Sequence, residues 1–117
     1  MNRDRTLLLH ILDAIDAVEM YAADGKARFM DDRRTQDAIA RNLVIVGEAV
    51  KHLSGELTAQ YPDISWRQIA GLRDRLIHQY FQVSLPLVWT IASVELPVLR
   101  GQIQHMLDDL EAEQPTP

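Results

Sequence analysis

From Leu85 to Leu110 the chain places apolar residues at alternating spacings of four and three: Leu85, Trp89, Ala92, Leu96, Leu99, Ile103, Met106 and Leu110. Only an α-helix brings residues so spaced onto one line, and a line this long is a bundle or coiled-coil seam. A segment patterned in this way must bury its seam against other helices. Nowhere does the sequence show the apolar–polar alternation of a half-buried strand, an internal repeat or a low-complexity run. The fold class that follows is all-α.

Three more helices are legible. Arg3 to about Asp24 carries Leu8, Ile11, Leu12, Ile15, Val18, Tyr21 and Ala22 as one amphipathic stripe, and Asp24-Gly25 is a C-terminal stop. A second helix begins at Asp31-Asp32, which can cap it, and runs to about Ser54-Gly55. Its main stripe is Ile39, Leu43, Val46, Val50 and Leu53, while Arg41, Val44, Glu48 and Lys51 form a second, mixed face. A helix with two usable faces in so short a chain suits contact with a second subunit. Leu57 to Asp63 reads as a connector, and Ser65 as the cap of a third helix that starts at Trp66 with Ile69, Ala70, Leu76 and Ile77 apolar. Phe81-Gln82-Val83 is a short link, after which Ser84 caps the last helix with Pro86 in its first turn. Pro97 is expected to kink that helix by freeing the carbonyl of Ser93. The expectation is one antiparallel bundle of four principal helices over residues 1–112, with a kinked last helix and a frayed tail over 113–117.

The 117 residues are 47% hydrophobic, carry a net charge of −5 and include no cysteine. A chain of that size suffices for one core. Disulfides, thiolate metal sites and cysteine nucleophiles are excluded. No run approaches the length of a membrane span, and Asp13 and Asp16 break any leader-like stretch, so the expected setting is the cytoplasm without a membrane partner. The negative charge argues against coating nucleic acid by bulk electrostatics, but not against a small basic site. Arginines do cluster, as Arg33, Arg34 and Arg41 and again as Arg67, Arg73 and Arg75.

The histidines at 10, 52, 78 and 105 lack a second histidine at helical metal spacing, and no Gly-rich phosphate loop is present. His10, His52 and His105 read as solvated or hydrogen-bonded surface groups. The run from Leu72 to Phe81 is different, since it gathers Arg73, Arg75, His78 and Tyr80 beside an apolar face. An arginine can grip a phosphate bidentately and a histidine can move a proton near neutral pH. Together they suffice for metal-free RNA cleavage, the base taking the ribose 2′-OH proton and the cation stabilising the phosphorus oxygens. At about 100° per residue, Arg73 and Tyr80 share one helical line, whereas Arg73 and His78 lie about 140° apart. Either the helix ends near His78 or two copies of the chain assemble the site. In the alternative, Asp74 and Arg75 are a solvated face and His78 caps the helix.

The pattern Arg73-x4-His78-x-Tyr80 resembles the R-x4-H-x-Y signature of HepT-like toxins in the HEPN superfamily. Ile45-Val46-Gly47-Glu48-Ala49, Trp66-Arg67-Gln68-Ile69-Ala70-Gly71-Leu72, Val88-Trp89 and Glu95-Leu96-Pro97-Val98-Leu99 resemble its flanking stretches in the same order. The likeness runs from about Asp4 to Leu110. The resemblance implies an α-helical homodimer that cleaves RNA without a metal or other cofactor, its two R-x4-H motifs meeting at the interface. It also implies a type VII toxin–antitoxin pair, in which an MntA-like minimal nucleotidyltransferase transfers AMP to the motif tyrosine. Carried onto this chain, Arg73 and His78 are catalytic and Tyr80 is the modified residue. Asp74 stands where the family pattern has a polar residue, often asparagine; it keeps a hydrogen-bonding group and weakens the positive field. Glu48 is the candidate for offsetting the like charges of two facing motifs. A competing reading is a non-catalytic helical dimer that docks a nucleotidyltransferase.

Overall fold

A computed structural model describes residues 3–113 of the chain, and no strand occurs among them. Helix α1 spans Arg3–Ala22, α2 Lys26–Asp31, α3 Arg33–His52, α4 Gly55–Ala59 and α5 Trp66–His78. A 3-10 turn at Tyr80–Gln82 leads into α6 (Leu85–Thr90), a π-helical turn (Ile91–Glu95) and α7 (Leu96–Glu113). The all-α expectation is met, with α1, α3, α5 and the α6–α7 run as the principal helices. The expected frayed tail falls, beyond Glu113, outside the described residues. The connector after residue 54 contains the short helix α4, capped by Ser54, whose Oγ accepts from the Leu57 amide at 3.1 Å.

Local chemistry sets most boundaries. Gly25 takes φ 92°, the left-handed conformation that costs a glycine little, and turns the chain from α1 into α2. Asp32 caps α3 by accepting from the Arg34 amide at 3.2 Å and from the Thr35 hydroxyl at 2.7 Å. Ser65 precedes α5 as expected, but its side chain makes no capping bond. The Trp66 indole instead anchors that corner by donating to the Tyr61 carbonyl at 3.1 Å. Ser84 does cap α6, accepting from the Leu87 amide at 3.4 Å. Ahead of Pro97 the helix widens into the π turn. A proline cannot donate to the carbonyl four residues back, and a wider turn absorbs that lost bond.

Side-chain pairs fix the directions of the helices. The start of α1 meets the end of α3, where Asp4 Oδ2 accepts from the Ser54 hydroxyl at 2.7 Å. It also meets the end of α7, through Arg5 and Glu111 at 3.6 Å. The start of α7 reaches the end of α1, through Arg100 to Asp16 and Glu19. Helix α3 is therefore antiparallel to α1, and α1 to α7. The core is the apolar stripe of each: Leu8, Ile11, Ile15 and Val18 from α1, Ile39, Leu43, Val46 and Val50 from α3, and Leu96, Leu99, Ile103 and Met106 from α7. Phe29 of α2 closes one end against Trp89, with ring centroids 5.3 Å apart. Two stripe assignments need correction: Tyr21 is 40% and Ile77 46% exposed. Helix α5 fully buries only Leu76 and packs chiefly on α3, so it lies at the edge of the bundle rather than in it.

Candidate active site

The α3–α5 crossing is unusually close, and Gly47 is the reason. A Cβ at this position would lie 2.3 Å from the Cβ of Arg73 and 3.1 Å from the Ile69 carbonyl oxygen. Without a side chain there, the backbone of α5 settles onto α3 and places Arg73 beside the residue that follows the glycine. Arg73 Nε stands 2.7 Å from Glu48 Oε2, and Arg73 Nη1 donates to Asp74 Oδ1 at 2.8 Å. The Nε–H does not point at the glutamate oxygen and finds no hydrogen-bond partner, so the Glu48 contact is ionic.

Lys51 Nζ reaches the same Asp74 oxygen at 3.4 Å, and His52 Nε2 lies 3.1 Å from Glu48 Oε1. Arg3 Nη2 extends the chain of contacts to His52 Nδ1 at 3.4 Å. The hydrogen bond with Asp74, aided by the charge of Glu48, pushes the Arg73 guanidinium further up, so it is a permanent cation. His52 first and Arg73 second hold the Glu48 carboxyl below its ordinary value; Arg73 and then Lys51 do the same for Asp74. A phosphate arriving at Arg73 must therefore compete with two carboxylates.

His78 is the last residue of α5 and is exposed. Because the helix is intact from Arg73 through His78, the two side chains keep their separation of about 140° around it. One copy of the chain does not aim both at one point. The helix ends at His78, one of the two arrangements the sequence allowed, and Tyr80 thereby leaves the line it was expected to share with Arg73. Gln79 (φ −136°, ψ 34°) breaks the register. The turn instead swings Tyr80 back onto the start of α3, where its hydroxyl donates to Asp37 Oδ1 at 2.5 Å. Burial first, and the bond to Asp37 second, push this phenol up to about 12. Phe81 packs edge-on to Tyr80 with centroids 5.7 Å apart and is itself 91% exposed.

The mixed face of α3 also needs correction. Glu48 and Lys51 are engaged by α5 of the same chain, so that face does not by itself call for a second subunit. Asp37, which holds Tyr80 apart from the Arg73 cluster, is a contact that sequence reasoning passed over, and His52, read as a hydrogen-bonded surface group, proves to be the partner of Glu48. His52 carried a signal, four residues after Glu48 on the same helix. Asp37 carried none, because its partner lies 43 positions away. His105 pairs with Asp109 at 3.4 Å, well outside this site. Among the described residues no group of three His, Asp or Glu side chains converges to hold a metal, and no helix is long and apolar enough to cross a membrane.

Residues 11–106 match the family described as "Ribonuclease HepT-like". A "Putative RNase" from Methanocaldococcus jannaschii is 35% identical over 107 residues, covering 92% of this chain and 86% of its own length. A "Probable ribonuclease HepT" from Thermococcus cleftensis is 34% identical over 97 residues, covering 82% and 88% respectively. A second Methanocaldococcus jannaschii protein, named "Gamma-glutamylcyclotransferase and putative RNase", is 35% identical over 113 residues; this chain spans 51% of its length. No solved structure matches the chain.

Proposed function

This chain belongs to the HepT-like ribonuclease family, and we propose that it is the metal-independent endoribonuclease toxin of a type VII toxin–antitoxin pair. Its catalytic groups are Arg73 and His78, supported by Glu48 and Asp74. The observation that carries this reading is the placement of Arg73. A glycine-floored crossing fixes its backbone, two carboxylates orient its guanidinium, and among the described contacts Nη2 is the edge left for a phosphate oxygen. In the homodimer we propose, the α5 helices meet about a two-fold axis, which removes the angular problem within one chain. Exposed Ile77 and Phe81 flank His78 and supply apolar surface for that contact.

His78 of one copy takes the 2′-OH proton as the 2′-oxygen attacks the adjacent phosphorus. The 5′-oxygen leaves with a proton from His78 of the partner subunit, and the strand ends in a 2′,3′-cyclic phosphate. Arg73 stabilises the charge that gathers on the phosphorus oxygens. An MntA-like minimal nucleotidyltransferase would silence the toxin by transferring AMP to Tyr80, adding charge and bulk beside the site. Asp74 and Glu48 on Arg73 also suit the second reading, a non-catalytic dimer that docks the transferase.

One experiment separates the two. Purified wild type is expected to cut RNA to cyclic-phosphate ends with chelator present, and a 2′-deoxy linkage is expected to resist. His78→Ala, at an exposed position, should stay helical and lose cleavage. Cleavage undiminished in His78→Ala defeats the assignment of the base, and wild type inert toward RNA favours the docking module.

A further inference from the structure

The ribonuclease reading gives no role to Asp37, yet this residue receives the hydroxyl of Tyr80 at 2.5 Å. The contact joins the first turns of α3 to the turn beyond α5, so folding alone makes it. Asp37 is half exposed, and its other carboxylate oxygen lies 3.8 Å from Arg33 Nε. A groove of about 300 Å³ is lined by Arg33, Gln36, Tyr80, Phe81 and Val83, among others. A hydroxyl nucleophile, a proton acceptor, a cation and space for a nucleotide therefore converge outside the Arg73 cluster.

We propose that Asp37 is the general base for nucleotidyl transfer to Tyr80, and that the groove beside it, with Arg33, receives the transferred nucleotide. The proposal rests on Tyr80 being the AMP acceptor. The Tyr80 oxygen attacks the α-phosphorus of a nucleoside triphosphate. The new O–P bond forms as the bond to pyrophosphate breaks, and the hydroxyl proton passes to Asp37 Oδ1. Asp37 and Arg33 are the charged groups that face this hydroxyl. With its titration pushed up to about 12, the phenol is neutral at physiological pH, and free phenolate is too scarce to react unaided. A carboxylate already in hydrogen-bond contact takes the proton as charge builds on the oxygen. Once Tyr80 is esterified it has no proton left to donate, and Arg33 is the cation placed to meet the new phosphodiester.

The test follows intact mass during incubation with the nucleotidyltransferase, ATP and magnesium, from neutral to alkaline pH. Asp37→Asn keeps an acceptor oxygen in place but cannot take a proton. It is expected to modify at least about 100-fold more slowly at neutral pH. Its rate should rise about tenfold per pH unit as phenolate forms. Asp37→Ala should be equally slow. RNA cleavage and helicity, measured on both variants, should match wild type. Modification of Asp37→Asn at the wild-type rate shows that Asp37 only positions Tyr80 and overturns the proposal while leaving Tyr80 as acceptor. Wild type that stays unmodified, or Tyr80→Phe that is still modified, overturns the acceptor assignment and this inference with it.

Discussion

Arg73 sits between two carboxylates, and the consequences are specific. Its fork donates along fixed directions, whereas a lysine offers a point charge on a flexible stem. Arg73→Lys is therefore expected to slow cleavage about 10–100-fold, the loss of one or two charge-assisted hydrogen bonds at about 1.5 kcal/mol or more each. Helicity by circular dichroism should be unchanged. An equal rate in Arg73→Lys would mean that charge alone is used.

Tyr61 and Tyr80 allow a separate check. Tyr61 is pushed up to about 12 by burial first and then by its 2.6 Å bond to Asp109. A phenol raised in the folded state adds stability that is complete below about pH 10 and lost as pH climbs through about 12. Tyrosinate absorbance should show two groups ionising together with alkaline unfolding. Asp109→Asn should bring one midpoint down and Asp37→Asn the other. Two midpoints unmoved by these variants would contradict the bonds.

Helix α5 owes its position to one bare residue on α3. Gly47→Ala places a methyl against the Arg73 Cβ and the Ile69 carbonyl, and neither atom is the free end of a flexible chain. The helices must separate, at an expected cost of about 1–3 kcal/mol. Because Arg73 moves with α5, cleavage should fall by more than the lost stability explains. Gly71 is the control. It lies within α5 with nothing inside 4 Å of its virtual Cβ, so Gly71→Ala should stabilise by about 0.5–1 kcal/mol through helix propensity alone. Urea midpoints for the two variants moving in the same direction would refute this account of the crossing.

The bundle as a whole is anchored through α1, α3 and α7, and α5 rides on its edge. An edge helix that ends in exposed Ile77 and His78, with exposed Phe81 in the turn beyond, suits self-association better than an isolated active site. Sedimentation is expected to show a dimer at micromolar concentration. Adding excess His78→Ala chain to wild type should lower cleavage beyond simple dilution, because mixed dimers lack one of the paired histidines. Activity that tracks only the amount of wild-type chain would place the whole site within one copy.

The sequence alone determined whatever depends on neighbours along the chain. The four-three stripe ending at Leu110, the cap at Asp32, the stop at Gly25 and the disturbance around Pro97 are local, since helical periodicity and the unpaired groups at helix ends are satisfied within a few residues. The spacing of Arg73, His78 and Tyr80 was legible for the same reason, as was the likeness to the family. Partners were not. Lys51 meets Asp74 across 23 positions and Asp37 meets Tyr80 across 43. Such pairs are chosen by how helices dock, which no periodicity encodes. The docking depended on a glycine whose importance is invisible until a second helix lies on it. The break after His78 then turned Tyr80 away from the line of Arg73, because one non-helical residue redirects every side chain that follows.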